Sequence, residues 1–340
     1  MPYLAHFGLA RHPFGLTPNT DQFFPVENMA QVLDSLRYAI KRNSGIFKVV
    51  GDVGTGKTML CRLLLRGLDG EGEPVAYLNA PTPDADTLLA AICQEFRLPV
   101  GSRAEMMARL NAFLLEQHAA QRNPVLVVDE AQALGGEGLE TVRLLSNLET
   151  EEHKLLQIVL FGQPELDVLL ARPDLRQITQ RIVFAFQTEP FSRQDSLRYL
   201  DHRIACSRLA GVDYPIFTPS AARLLAAASR GVPRVINVLA DKALLIAYGD
   251  GANPVTDRHV EQAIDDTPYN AHRMLLKRRK VRRLALALVA AHVWAAAGLA
   301  FAFPEATASA VTAVEGWIGR AQAHFVALPS PQVSPEMERP

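Results

Sequence analysis

The chain has 340 residues, 49% apolar and 21% charged, which supplies a buried core, excludes a disordered chain and predicts about two domains. The near balance of 35 Lys and Arg against 36 Asp and Glu hides a segregation: Lys277, Arg278, Arg279, Lys280, Arg282 and Arg283 lie within seven residues, and residues 1–276 keep a net charge of −5. An acidic body argues against wholesale nucleic-acid binding, and Cys61, Cys93 and Cys206 lack metal-ligand spacing and fit a reducing compartment.

Met1 to Ala10 has no basic stretch followed by an apolar run, so no signal peptide is expected. Residues 1–25, rich in Pro, Phe, Gly and Asn, read as an extended arm. Helical spacing of Val32, Leu33, Leu36, Ala39 and Ile40 predicts a helix over 29–41. Strands are then predicted at 46–50, 75–79, 125–128, 156–161 and 182–186, with helices at 59–68, 86–96, 103–117, 138–148 and 174–180 between them. This alternation implies a five-stranded parallel sheet covered by helices on both faces. After Pro190 the strands stop. Helices are predicted at 192–210, 220–229, 233–249 and 256–266, with the cap-type residues Thr218, Ser220 and Thr256 near their starts.

From Leu284 to Phe303 there are 20 residues without a formal charge, ended by Pro304. As a helix this run is about 30 Å long, one hydrocarbon thickness. Nine alanines and His292 weaken its insertion, but six basic residues abut one end and few follow the other, so a single spanning helix is expected with residues 1–283 in the cytoplasm. The basic run 277–283 is expected to clamp anionic lipid headgroups. The tail 304–340 is expected in the periplasm, its Pro-rich end disordered.

The sharpest chemical signal is Gly51-Asp52-Val53-Gly54-Thr55-Gly56-Lys57-Thr58, a G-x-x-x-x-G-K-[ST] phosphate-binding loop between a strand and a helix. Its backbone N–H groups and the helix N-terminus suit phosphate oxygens. Lys57 is expected to reach the β/γ-phosphates of ATP, and Thr58 to hold Mg²⁺. The strand Val125–Val128 ends in Asp129 and Glu130. Asp129 is expected to serve the Mg²⁺ and Glu130 to polarise the attacking water, which favours hydrolysis over mere binding. Gln163 follows a strand and is placed to orient water. Arg181 lies between a helix and the fifth strand, where an arginine reaches a neighbour's phosphate more easily than its own, with Arg176 as competitor. Arg234 opens a helix after Gly231-Val232-Pro233, where a cation is unfavourable without a ligand.

The loop, Asp129-Glu130, an outlying arginine and a helical second domain with Arg234 together resemble the AAA+ ATPases. Tyr3-Leu4-x-x-Phe7-Gly8-Leu9, Pro13-Phe14-x-Leu16-Thr17-Pro18, the loop continued to Arg62, Leu144 to Glu149 and Leu155 to Leu166 resemble the general secretion pathway protein A (ExeA-like) group. Within it they are most similar to the branch serving MSHA pilus biogenesis, over about residues 2–266. The resemblance implies a sheet order 5-1-4-3-2 with a helical lid domain after it. It implies an arm (1–25) whose Pro13, Phe14 and Pro18 cover adenine, an ATPase domain at 26–190, a lid at 191–270, a juxtamembrane segment at 271–283, a transmembrane helix at 284–303 and a tail at 304–340. Gln163 takes the sensor 1 position, Arg181 the arginine-finger position and Arg234 sensor 2. It further implies a ring of identical subunits on the bacterial inner membrane, working with pilus or secretion assembly proteins. Longer members carry a peptidoglycan-binding domain after the membrane helix. The 37 residues after Phe303 are too few for one, so direct cell-wall binding is not expected. An exopolysaccharide-export branch shares the site. A DNA-acting transposition-helper ATPase is disfavoured by the acidic body and the apolar segment, and a nucleotide-switched scaffold by the intact Asp129-Glu130 pair.

Overall fold

The computed structural model describes residues 2–267. The basic run, the apolar segment 284–303 and the tail lie outside the described residues. Among the described residues no helix is long and apolar enough to cross a membrane.

Five strands, β1 (Ile46–Gly51), β2 (Val75–Leu78), β3 (Val125–Val128), β4 (Gln157–Gly162) and β5 (Ile182–Thr188), form one sheet. Every pairing is parallel. The order is β2-β3-β4-β1-β5, the 5-1-4-3-2 arrangement expected. β3 and β4 are buried along their whole lengths, the mark of strands covered on both faces. Ile46, Val50, Leu126, Ile158 and Leu160 join one core cluster. Their alternates Phe47, Val49, Val127, Val159 and Phe161 are equally buried and point to the other face, as the two-residue strand period requires. β5 is an edge strand, with Val183 and Phe184 exposed.

The helices α2 (Glu27–Lys41), α3 (Lys57–Gly70), α4 (Ala85–Glu95), α5 (Arg103–Ala119) and α6 (Gly135–Leu145) cover the sheet. Their starts are chemically marked. Asp84 caps α4 by accepting from Thr87 N–H at 2.8 Å, and Ser102 with Glu105 forms a capping box on α5. α4, α5 and α6 supply Leu88, Leu110 and Val142 to the core cluster on one side of the sheet. The second half is helical: α9 (Arg193–Ala205), α10 (Pro219–Ser229), α11 (Pro233–Gly249) and α12 (Asp257–Asp265). They close on an interior containing Leu225, Ile236, Leu239, Leu244 and Val260.

Four local readings change. The arm begins with a short helix, α1 (Pro2–His6), and is not extended throughout. Phe7 and Phe14 are buried, and Tyr3 Oη donates to Asp241 on α11 at 3.2 Å. The first helix after Pro190 ends at Ala205 and not near residue 210. Its last residues are drawn into backbone bonds with the arm, Ala10 N–H to Ser207 O at 2.8 Å and Leu209 N–H to Gly8 O at 2.9 Å. A seven-residue helix, α7 (Pro164–Leu170), follows β4 where no helix was predicted. Pro164 at its first position and acidic Glu165 and Asp167 in its first turn favour a helix start. The helix predicted at 174–180 is a 3-10 turn, Pro173–Leu175, running into α8 (Arg176–Thr179).

Two leucines on α5 test the register of that helix. Leu110 is fully buried and Leu115 is 45% exposed. Leu110→Ala is expected to cost about 2–5 kcal/mol and Leu115→Ala less than about 0.5 kcal/mol, read as urea unfolding midpoints of the two variants against the parent. Equal losses contradict the burial of this face.

Candidate nucleotide site

The carboxyl ends of β1, β3 and β4 meet at one edge of the sheet, and the loop 51–56 lies between β1 and the start of α3. Gly54 and Gly56 have φ of +84° and +103°, a region in which only glycine is unstrained. A Cβ on Gly54 would stand 2.7 Å from the Cβ of Arg234, so the loop touches the first turn of α11 with no room for a side chain. The Arg234 N–H donates to Gly54 O at 3.3 Å. On its other flank the loop meets the end of β5. Thr55 Oγ1 lies 2.7 Å from Thr188 Oγ1 and donates to Asp52 O at 2.8 Å.

Lys57 is 6% exposed, and its ammonium donates to Gly51 O at 2.6 Å and Asp52 O at 2.9 Å. Burial pulls its pKa below the ordinary lysine range, while the carboxylates of Glu130, Asp129 and Asp52 oppose the shift. Asp129 is 4% exposed, and burial raises its pKa above the usual carboxylate range. The Glu130 N–H and the Thr58 hydroxyl hydrogen-bond Asp129 and work against that rise. Thr58 and Asp129 thus bring two hard oxygen donors together next to the loop. That set fits Mg²⁺, which takes one or two protein oxygens and completes its shell with water and phosphate.

Glu130 sits at φ +52°, a left-handed conformation uncommon outside glycine. The turn aims its carboxylate at two amides. Oε2 accepts from Gln163 Nε2 at 2.8 Å and from Gln132 Nε2 at 2.5 Å. Gln132 Oε1 in turn accepts from the Gln163 backbone N–H at 3.1 Å. The three side chains form a closed polar ring at the ends of β3 and β4.

A cavity of about 190 Å³ runs from Gly56, Lys57 and Thr58 past Glu130, Gln163 and Arg234 to Gly15–Pro18. One wall belongs to the sheet, one to the helical half and one to the arm.

Comparison with known proteins agrees with this fold. The AAA domain family matches residues 40–170. Residues 40–170 thus carry an AAA domain, built on the P-loop sheet described above. General secretion pathway protein A of Aeromonas hydrophila is 40% identical over 264 residues, 77% of this chain and 48% of the relative. The chain therefore spans about half the length of that relative. Among solved structures, the Aeropyrum pernix ORC2 protein in its ADPNP-ADP complexes is similar with a TM-score of 0.58 and 18% identity, over 77% of this chain and 73% of its own. The Drosophila ORC bound to DNA is similar with a TM-score of 0.58 and 21% identity, over 76% and 65%. At these identities the likeness concerns the fold.

The residues named from sequence divide into three sets. Gly54, Gly56, Lys57, Thr58, Glu130, Gln163 and Arg234 line the cavity together, and Val53 joins them at its rim, 58% exposed. Gly51, Asp52, Thr55 and Asp129 support them from behind. Arg181 is elsewhere. It stands just before β5, its Nη1 donating to Ser146 Oγ at 3.2 Å, and it does not line the cavity. Arg176 starts α8 and does not line it either.

The arm contact shifts from the expected position. Phe14 is 2% exposed and packs edge-on against Phe217, and Pro13 is buried. Pro18, also expected there, does face the cavity, together with Gly15, Leu16 and Thr17. Sequence reasoning also missed Gln132, Thr188, Tyr199, Arg203 and Asn237. Gln132 lies two residues from Glu130 and was findable by proximity. The others belong to distant elements, and no local pattern marks them.

Proposed function

We propose that this chain is a membrane-anchored AAA+ ATPase that hydrolyses ATP to support assembly of a type IV, MSHA-like pilus or of type II secretion machinery. The observation that carries the hydrolytic part is the Glu130 carboxylate, held by Gln132 and Gln163 on the wall of a cavity that also contains Lys57. The pathway rests on the similarity to general secretion pathway protein A. A DNA-acting role has only fold likeness behind it and a body of net charge −5 against it.

The loop N–H groups and Lys57 bind the β- and γ-phosphates, Lys57 exchanging its contacts with Gly51 O and Asp52 O for phosphate oxygens. Thr58 and Asp129 hold Mg²⁺, which when bound neutralises phosphate charge. Glu130 accepts a proton from water as the water oxygen bonds to the γ-phosphorus, and the bond to the β–γ bridging oxygen breaks with its electron pair leaving on ADP. Gln163 keeps the Glu130 carboxylate and the water in register. Arg234 meets phosphate charge from the helical half. Arg181, directed away from its own cavity, serves the site of a neighbouring copy in a ring. Leu284 to Phe303 spans the inner membrane, the ATPase domain stays in the cytoplasm on the side of the basic run, and the tail faces the periplasm.

Lys57→Ala is expected to abolish turnover and weaken nucleotide binding, whereas Glu130→Gln keeps binding and loses hydrolysis. Steady-state phosphate release beside equilibrium nucleotide binding separates the two, and near-normal turnover by Glu130→Gln rejects the assigned base. For the neighbour's arginine, Arg181→Ala alone is expected to lose about 10³–10⁵ in rate. Mixing it with Lys57→Ala subunits is expected to restore part of the activity, and a co-assembled mixture that stays inactive rejects the shared site. For the anchor, full-length protein in membranes is expected to resist extraction by high salt and to yield to detergent. Release by salt alone leaves only an electrostatic attachment.

A further inference from the structure

One polar network on the cavity wall has no part in the phosphate chemistry. Tyr199 and Arg203 lie four residues apart on α9, and Arg234 and Asn237 three apart on α11, so each pair shares a helix face. All four line the cavity. Arg203 is 5% exposed. Its Nε donates to Pro13 O at 2.6 Å, Nη1 to Tyr199 Oη at 2.7 Å and Nη2 to Gly15 O at 3.5 Å. Tyr199 Oη donates onward to Asn237 Oδ1 at 3.0 Å. All the acceptors of this guanidinium are neutral. A guanidinium cannot shed its charge and has five N–H donors, three of which these contacts use. A buried cation held only by neutral groups is costly unless further acceptors complete its shell.

The place of the network along the cavity gives the chemistry of those acceptors. Arg234 abuts Gly54 of the phosphate loop. Asn237 stands about one turn farther along α11, and Arg203 reaches beyond it to the backbone of the arm. The network therefore occupies the end of the cavity opposite Lys57, beneath residues 15–18. For a nucleotide with its phosphates in the loop, which is the reading proposed above, this is the base end. The N–H groups of Arg203 and the free amide of Asn237 all present donors. Purine rings offer acceptor nitrogens, including N7, a common guanidinium partner, in the five-membered ring that pyrimidines lack.

We propose that Arg203, oriented by Tyr199 and Asn237, determines the base specificity of the site by donating to the acceptor edge of a purine, and that the same side chain fixes the 13–15 backbone so that residues 15–18 close over that base. Recognition of the base and closure of the arm then depend on one residue that is remote in sequence from both.

Competition binding with full-length protein tests this, using ATP, GTP, CTP and inorganic tripolyphosphate in the presence of Mg²⁺. The wild type is expected to prefer both purine nucleotides over CTP by about tenfold or more. Arg203→Met and the milder Arg203→Lys are each expected to raise the Kd for ATP and GTP about 10- to 100-fold. Tripolyphosphate, which reaches only the loop, is expected to stay within about twofold. Tyr199→Phe keeps the ring and removes the hydroxyl relay, and is expected to lose part of the purine preference while tripolyphosphate binding stays within about twofold; its melting temperature is expected to fall, because Arg203 Nη1 and Asn237 Oδ1 lose their partner. The proposal is overturned if Arg203→Lys keeps wild-type ATP affinity and purine preference. It is equally overturned if tripolyphosphate binding falls in step with ATP binding. Wild-type protein with no Lys57-dependent nucleotide binding overturns the ATP-site reading itself, and this proposal with it.

Discussion

A loop with no room for a side chain at Gly51 or Gly54 joins the sheet to the helical half. A Cβ on Gly51 would lie 1.9 Å from Thr188 Oγ1, and one on Gly54 would lie 2.7 Å from the Cβ of Arg234. The loop is therefore wedged between the end of β5 and the first turn of α11. These contacts fix the start of α3, whose first residue is Lys57. With its ammonium bonded to Gly51 O and Asp52 O, Lys57 is placed by the same backbone that binds phosphate. Its burial costs solvation, and that cost falls when an anion enters.

The strand order explains why the remaining groups converge. β1 lies between β4 and β5, and β3 lies beyond β4, so the chain leaving β3 and the chain leaving β4 pass on the same side of the loop. The first carries Asp129, Glu130 and Gln132, the second Gln163. Parallel strands bring four polar ends to one edge, and helices on both faces keep water from the strands behind them. Asp129 and Glu130 are adjacent carboxylates, yet they face different partners. Asp129 accepts from the Glu130 backbone N–H, with the Thr58 hydroxyl beside it. Glu130, turned by its left-handed backbone, accepts from the two glutamine amides. This division suits the proposed roles, one carboxylate serving a metal and the other a proton.

Much of this was legible in the sequence because it is local. The loop, the apolar strand ending at Asp129 and the helix starts at Asp84, Ser102 and Thr218 are written within a few residues. Helix α7 was missed although Pro164, Glu165 and Asp167 form an ordinary helix start, because seven residues give too little periodicity to weigh against a turn. α1 is shorter still and is held by Tyr3 and Phe7 packing on distant helices. The position of Phe14 was misjudged for a related reason. Its ring completes the interior of the helical half against Phe217, which leaves the next four residues to face the cavity. Arg203 was illegible, since an arginine in a helix reads as solvated until Pro13, 190 residues earlier in the chain, is known to lie against it.

The helical half is joined to the loop by little direct bonding. The Arg234 N–H to Gly54 O bond is 3.3 Å long, near the outer limit for such a bond. The arm is tied to that half by shorter bonds, Arg203 to Pro13 O at 2.6 Å and Ala10 N–H to Ser207 O at 2.8 Å. Residues 18–21 of the arm are bonded to the other side, Arg62 Nη1 to Pro18 O at 2.6 Å and Arg66 Nη1 to Asp21 at 3.2 Å, so the arm bridges the helical half and α3. A cation at a helix N-terminus opposes the helix dipole, so Arg234 strains the first turn of α11 until negative charge lies in front of it. A triphosphate supplies that charge while also meeting Lys57 on the opposite wall. Under the proposed reading, the helical half is held to the loop from the phosphate end by charge and from the far end by hydrogen bonding, and loss of the γ-phosphate weakens only the first. On that reading the cavity keeps its hold on the base after hydrolysis while the charge contact between the loop and α11 relaxes.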